Sequence, residues 1–144
     1  MDPAYKHTQS GYLITGALAV AVLIVASSAL KTGFLAFPLL IGGILVTCMV
    51  LFWNLTIEIG EQKLRWQFGP GVIHKSVPLE QIASVEAKRI QWWNGWGIHL
   101  TGNGWLYNVS GMEAVKVTLR SGKSFMLGTD EPQKLAEALR QSIR

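Results

Sequence analysis

The sequence predicts a membrane α-hairpin followed by a mainly β domain that one C-terminal α-helix closes. Three observations carry this. Two long apolar runs occupy the first third of the 144-residue chain. At Asn54 the pattern switches to alternation of apolar and polar residues, the period of a half-buried strand. The chain then ends on a segment of helical period. The expected division is a tail over 1–11, a two-helix transmembrane hairpin over 12–53 and the β domain over 54–144.

The composition agrees with an apolar anchor on a water-exposed domain. Charged residues make up 15% of the chain, against about 25% in ordinary globular domains. Between Tyr12 and Trp53 the only charged side chain is Lys31. From Asn54 onward there are 11 Lys and Arg against 8 Asp and Glu. That mild excess suits a surface near anionic lipid and is too weak for a nucleic-acid partner. The single cysteine, Cys48, lies inside the second apolar run, so no internal disulfide forms and an apolar packing role is expected.

The first run, Tyr12 to Leu30, is 19 residues, and the second, Gly33 to Trp53, is 21. At about 1.5 Å per residue each spans roughly 30 Å, the thickness of a hydrocarbon core. Lys31 and Thr32 alone separate them, so the chain turns back at once. Pro38 falls in the first turns of the second helix, where a missing N–H costs little. Tyr12 and Trp53 take the place of interfacial anchors. Gly16, Ala17, Ala21, Gly42, Gly43 and Thr47 are expected at the contact between the two helices. Lys6 balances Lys31 across the first helix, and Lys63, Arg65 and Lys75 after the second tip the expectation toward both termini in the cytoplasm and a multi-pass chain in the inner membrane. The rival for the first run is a signal peptide cleaved near Ala26-Ser-Ser-Ala29, against which stand the long N-terminal region and the second run that follows directly.

In the β domain, Leu55, Ile57 and Ile59 alternate with Thr56 and Glu58, Leu64, Trp66 and Phe68 with Arg65 and Gln67, and Val115, Val117 and Leu119 with Lys116 and Thr118. Further strands are expected over 72–77, 82–88, 97–101, 105–108 and 123–127, all antiparallel. Turn chemistry separates them at Gly60-Glu-Gln62, Gly69-Pro-Gly71, Gly102-Asn-Gly104 and Ser121-Gly122. Thr129 is the expected N-cap of the last helix, ahead of acidic residues and Pro132. Leu135, Ala138, Leu139 and Ile143 form its apolar face.

Three stretches carry a resemblance. Leu79-Glu-Gln-Ile-Ala-Ser-Val85 resembles the strand-entry segment of bacterial pleckstrin-homology-like domains. Trp93-Asn-Gly-Trp-Gly-Ile-His-Leu100 with Gly104-Trp-Leu-Tyr-Asn108 resembles the aromatic, Gly-rich middle of the small bacterial membrane proteins that carry them. Gly128-Thr-Asp-Glu-Pro132 resembles their strand-to-helix junction. Over residues 55 to 143 the resemblance implies a PH-like antiparallel β barrel or sandwich closed by a C-terminal helix, and a binding role. Eukaryotic members often bind phosphoinositides through clustered cations. Here Glu58 and Glu61 dilute Lys63 and Arg65, so that ligand is not carried over.

No nucleophile elbow, Walker loop or full dinucleotide fingerprint is present. His7, His74 and His99 show no metal-ligand spacing, and His99 reads as solvent-facing. No catalytic residue, cofactor or metal is expected. The feature that invites a functional reading is Lys88-Arg-Ile-Gln-Trp-Trp-Asn-Gly-Trp96, in which Lys88 and Arg89 precede Trp92, Trp93 and Trp96. Three readings stand open: the tryptophans fold back as a lid on the core, insert at the headgroup level of the membrane, or meet a protein partner. The expected function is a membrane-anchored, non-enzymatic PH-like module that contacts a protein partner or the bilayer surface. The alternative is an accessory subunit of a membrane enzyme or transport complex, engaged through the hairpin. A homo-oligomer is allowed, and nothing in the sequence calls for one.

Overall fold

The computed structural model describes residues 3–60 and 62–144, so Glu61 in the first expected turn lies outside the described residues. In chain order the elements are β1 (Tyr5–Ser10), α1 (Tyr12–Thr32), α2 (Ala36–Phe52), β2 (Asn54–Gly60), β3 (Lys63–Phe68), β4 (Ile73–Pro78), β5 (Ile82–Arg89), β6 (Gly97–Thr101), β7 (Gly104–Asn108), β8 (Glu113–Leu119), β9 (Ser124–Gly128) and α3 (Pro132–Ser142).

The two N-terminal helices pack as an antiparallel pair, but their turn is displaced from the expected one. Lys31 and Thr32 finish α1 instead of linking the helices. Gly33, at φ +68°, then caps α1 in the left-handed conformation, and its N–H donates to the Ala29 carbonyl at 3.0 Å. The turn is therefore Gly33 to Leu35, and α2 has 17 residues where a run of 21 was expected. Among the described residues α1 is the one helix long and apolar enough to cross a membrane.

Of the six small residues expected at the helix contact, Ala21 and Gly42 are half-buried and the other four are not. A Cβ added at Gly16, Gly42 or Gly43 meets nothing within 4 Å, and Gly16, Ala17, Gly43 and Thr47 are exposed. The half-buried seam instead runs through Ile41, Leu45, Cys48, Met49 and Phe52 on α2, facing Leu18, Val22, Val25 and buried Ala29 on α1. Larger side chains fill most of the contact, and Gly16 and Gly43 are left exposed.

The segment expected as a tail is strand β1. Its sequence, Tyr-Lys-His-Thr-Gln-Ser, has no alternating apolar pattern, and its pairing is imposed by the hairpin. The returning helix brings Trp53 back to Gly11, whose N–H donates to the Trp53 carbonyl at 2.7 Å. A Cβ at Gly11 would lie 2.5 Å from the Phe52 carbonyl oxygen, so only glycine fits this crossing. The two strands leaving the helices then zip in register from Ser10↔Asn54 to Tyr5↔Ile59.

The β domain comprises two sheets that do not close into a barrel. The first has order β1-β2-β3-β4, the second β5-β8-β9-β7-β6. Pro78 has no N–H to continue the ladder, and a short 3-10 turn at Leu79–Gln81 redirects the chain into the second sheet. Of the six to eight strands expected, all eight segments are present within one or two residues, and β1 makes nine among the described residues. One pairing is parallel, β7 with β9, because β9 returns from β8 into the place beside β7.

Inward residues of both sheets form one core, including Leu55, Ile57, Leu64, Trp66, Phe68, Val115, Val117 and Leu127. Trp66 stacks on Phe125 with ring centroids 4.8 Å apart. The helix α3 contacts β5, β8 and β2, and so lies in the opening between the sheets. It buries Leu135, Ala136 and Leu139 completely. Each leucine so placed contributes roughly 1.5–3 kcal/mol relative to exposure. The cap of the helix is Glu131, two residues later than the expected Thr129. Pro132 takes the first turn, and Thr129 instead accepts the Glu131 N–H on its hydroxyl at 3.1 Å.

The connections sort to two ends. The hairpin end carries the Gly11–Trp53 crossing, the Gly69–Val72 turn, residues 90–96 and the Ser110–Met112 turn. The far end carries Gln62, Lys63, Glu80, Gln81, Arg120, Ser121 and the last residues of α3, which with Leu79, Leu119 and Ile143 line two shallow recesses.

Candidate functional site

The Trp-rich segment is a strap across the second sheet. Strands β5 and β6 are the two edges of that sheet, so the seven residues between Arg89 and Gly97 must cross its whole width. Ile90 anchors the crossing. Its side chain is buried with Leu106, Ala114 and Met126 in a small cluster on the outer face of the sheet. Its N–H donates to the Met112 carbonyl at 2.7 Å. A 3-10 turn over Trp92–Asn94 follows, and Gly95 and Gly97, at φ +63° and +99°, return the chain to β6.

Because Ile90 fills the site beneath the strap, the tryptophans do not act as a lid. Trp92 is 76% exposed, Trp93 66% and Trp96 41%. Trp92 and Trp93 meet edge to face at 5.9 Å, so they pack on each other and not on the core.

The two cations of the motif go separate ways. Lys88 and Arg89 are the last residues of β5, not loop residues, and successive strand residues point to opposite faces. Lys88 donates to the Asn103 side-chain oxygen at 3.3 Å, which also accepts from Lys116 at 3.2 Å. Lys88 thus reaches toward the β6–β7 turn and away from the tryptophans. Arg89 is exposed opposite Glu113 in the β5–β8 register. The structure pairs Trp92 with Trp93, holds Trp96 on the same strap, and leaves Lys88 outside the group.

The strap lies at the hairpin end of the domain. Met112, its hydrogen-bond partner, shares a surface recess of about 310 Å³ with Tyr12, the first residue of α1. Nearby, Ser110 donates its hydroxyl to the Ser10 carbonyl at 3.0 Å, and buried Gln9 donates to the Ser110 carbonyl at 3.0 Å. On the α2 side, Gly69 is so close that a Cβ would lie 2.4 Å from the Val50 carbonyl oxygen. Beside it Val72 is 71% exposed, and Met112 is 42% exposed. Sequence reasoning missed Ile90, Val72 and Met112. Ile90 was legible in principle, as the one aliphatic residue in an otherwise polar and aromatic stretch.

A second group was hidden by sequence distance. His7 sits between two carboxylates at the start of α3, with Nε2 at 2.6 Å from Asp130 and Nδ1 at 3.5 Å from Glu131. The carboxylates take opposite ring nitrogens, so the three groups cannot share one ion. Lys134 bonds Glu131 and holds its carboxyl below the usual range, with the His7 and Lys134 charges adding to the effect. The same contact raises Lys134. Burial, then the Glu131 charge, pushes the Tyr5 phenol up to about 12. His99, expected to face solvent, is half-buried, and its Nε2 is enclosed without a protein partner.

Compared with known protein families and curated proteins, the chain matches no family model and no curated sequence.

Proposed function

We propose that this chain is a membrane-anchored, non-enzymatic PH-like binding module whose hairpin crosses the bacterial inner membrane and whose Trp strap is the contact surface. The observation that carries the reading is the exposure of Trp92, Trp93 and Trp96 on a strap that a buried residue, Ile90, already holds in place. Large aromatics left in water at a fixed position have no folding role and are costly unless they meet something. Two sheets with a C-terminal helix in their opening support the PH-like assignment. The extra strand β1 and the parallel β7–β9 pair are departures from the expected antiparallel pattern. For α2, 17 residues give about 25 Å of helix, at the short end of a spanning segment, with apolar Phe34 and Leu35 extending it.

The test is photo-crosslinking of the full chain in native membranes, with the probe placed at Trp92 or Trp93 and at Ser121 on the far end. Adducts, to protein or lipid, are expected in excess at the strap. Equal labelling at Ser121 would remove the strap as the contact surface.

One observation favours a second reading, the accessory subunit engaged through the hairpin. Gly16, Ala17, Gly43 and Thr47 face outward, where small residues let another helix approach closely. On that reading Gly16→Leu with Gly43→Leu abolishes co-purification of the complex, while alanine at all three strap tryptophans does not.

A further inference from the structure

We infer that what covers the strap is the bilayer itself, the same leaflet surface from which the hairpin emerges. This rests on the reading of the hairpin as a membrane anchor and of the strap as a contact surface.

The argument is positional. The strap starts at β5, on the α1 side, where Ile90 bonds Met112 and Met112 adjoins Tyr12. It ends at β6, next to β7. The β7 residue Tyr107 lies 6.4 Å from Phe68, and Phe68 lies 5.3 Å from Phe52 at the end of α2. The strap therefore crosses the second sheet at the end of the domain from which both helices leave. Val72 and Met112, exposed at the tips of the two turns flanking that base, extend the same apolar rim. Tyr12 and Trp53, 68% and 64% exposed at the helix ends, fix its level as the headgroup region, where aromatic side chains with one polar edge are favoured.

On the side that faces the bilayer, a soluble partner would have to enter the space between this rim and the headgroups. The domain has no slack to open that space, because β1 and β2 zip directly from the helix ends and Gly11 bonds Trp53. Charge is not the driver. Lys88 is engaged by Asn103, and Glu113 faces Arg89 across the ladder. The contact is aromatic and apolar, and neutral lipid suffices for it.

The experiment uses the full chain reconstituted in phosphatidylcholine vesicles, in a Trp53→Phe background. Bromines on the acyl chain close to the headgroup quench tryptophan that reaches their level. Strong quenching is expected, and it should disappear when Trp92, Trp93 and Trp96 are all changed to Phe, a variant whose near-UV CD confirms the fold. Absent quenching, or quenching that survives the triple change, overturns the inference. Absent quenching with protein adducts at Trp92 leaves the strap a contact surface and makes the occupant a protein. Absent quenching with no adducts overturns both.

Discussion

The two ends of the β domain are built from the same kinds of turn, yet they differ in what they expose. The hairpin end shows Trp92, Trp93, Val72 and Met112 to its surroundings. The far end shows Glu80, Gln81, Arg120 and Ser121, with Lys63 and Arg144 around them. A domain surrounded evenly by water has no reason for this asymmetry. The side with apolar tips is the side from which the helices leave. One apolar pair breaks the pattern: Leu100 and Trp105, opposite each other on the β6–β7 hairpin, are 68% and 48% exposed.

The largest expected effect separates structural from exposed aromatics. Trp66→Ala should cost about 3–5 kcal/mol, since a buried, stacked ring is removed. Trp92→Ala and Trp93→Ala should each stay within about 0.5 kcal/mol, as surface changes do. Denaturant titration followed by near-UV CD compares them, and a large loss for Trp92→Ala would return the strap to the core. Next comes the strap's anchor. Ile90→Ala should cost about 2 kcal/mol, the low end for a buried aliphatic because its cluster has only four members. It should also expose residues 91–96 to limited proteolysis before the domain unfolds.

The turns at the two ends give a smaller, matched contrast. Gly69 and Gly122 both hold positive φ, +48° and +88°. An alanine at Gly122 meets nothing and suffers backbone strain alone, about 1 kcal/mol. At Gly69 it also collides with the carbonyls of Val50 and Leu51. Gly69→Ala should therefore be the more damaging by at least about 1 kcal/mol. Equal effects would mean that the domain does not press on α2.

The smallest effect is a pH dependence at the β1–α3 contact. The Glu131 carboxyl is held low when folded, so its stabilisation is present above the ordinary carboxylate range and is lost as pH falls through the lowered value. Tyr5 and Lys134 are raised, so their contributions are complete below their ordinary values and disappear as pH climbs, for Tyr5 through about 12. Thermal melts of Glu131→Gln should lie below the parent at neutral pH and meet it in acid. Parallel curves would show that the carboxylate's charge is irrelevant there.

Most of the β domain was legible because its signal is local. Alternation in 55–59, 64–68 and 115–119 and glycine at the turns placed strands that the structure reproduces. What was missed is non-local. Strand β1 has no apolar period of its own and exists because the hairpin sets Ser10 opposite Asn54. His7 met Asp130 only through that strand. The split into two sheets depends on where the chain crosses between them, at Pro78 and the 3-10 turn after it, and the parallel pair on β9 returning from β8 into the place beside β7. In the candidate site, the Trp cluster was plain from the sequence and its exposure was not. Exposure depended on whether another side chain occupied the ground beneath, and Ile90 does. Lys88 looked like part of the same group until its strand position and Asn103 drew it aside.

The unbroken passage from helix to strand at Ser10 and Asn54 has a mechanical meaning. There is no linker to act as a swivel, so the hairpin and the domain turn together as one shaft and head. The domain does not search a volume at the end of a leash. On the proposed reading of the hairpin as a membrane anchor, it sweeps a disc set by its own width, at constant height, as fast as the hairpin rotates in the plane. On that reading a partner must arrive at that height, and a tilt of the helices would be felt at the far end of the β domain as a change of angle.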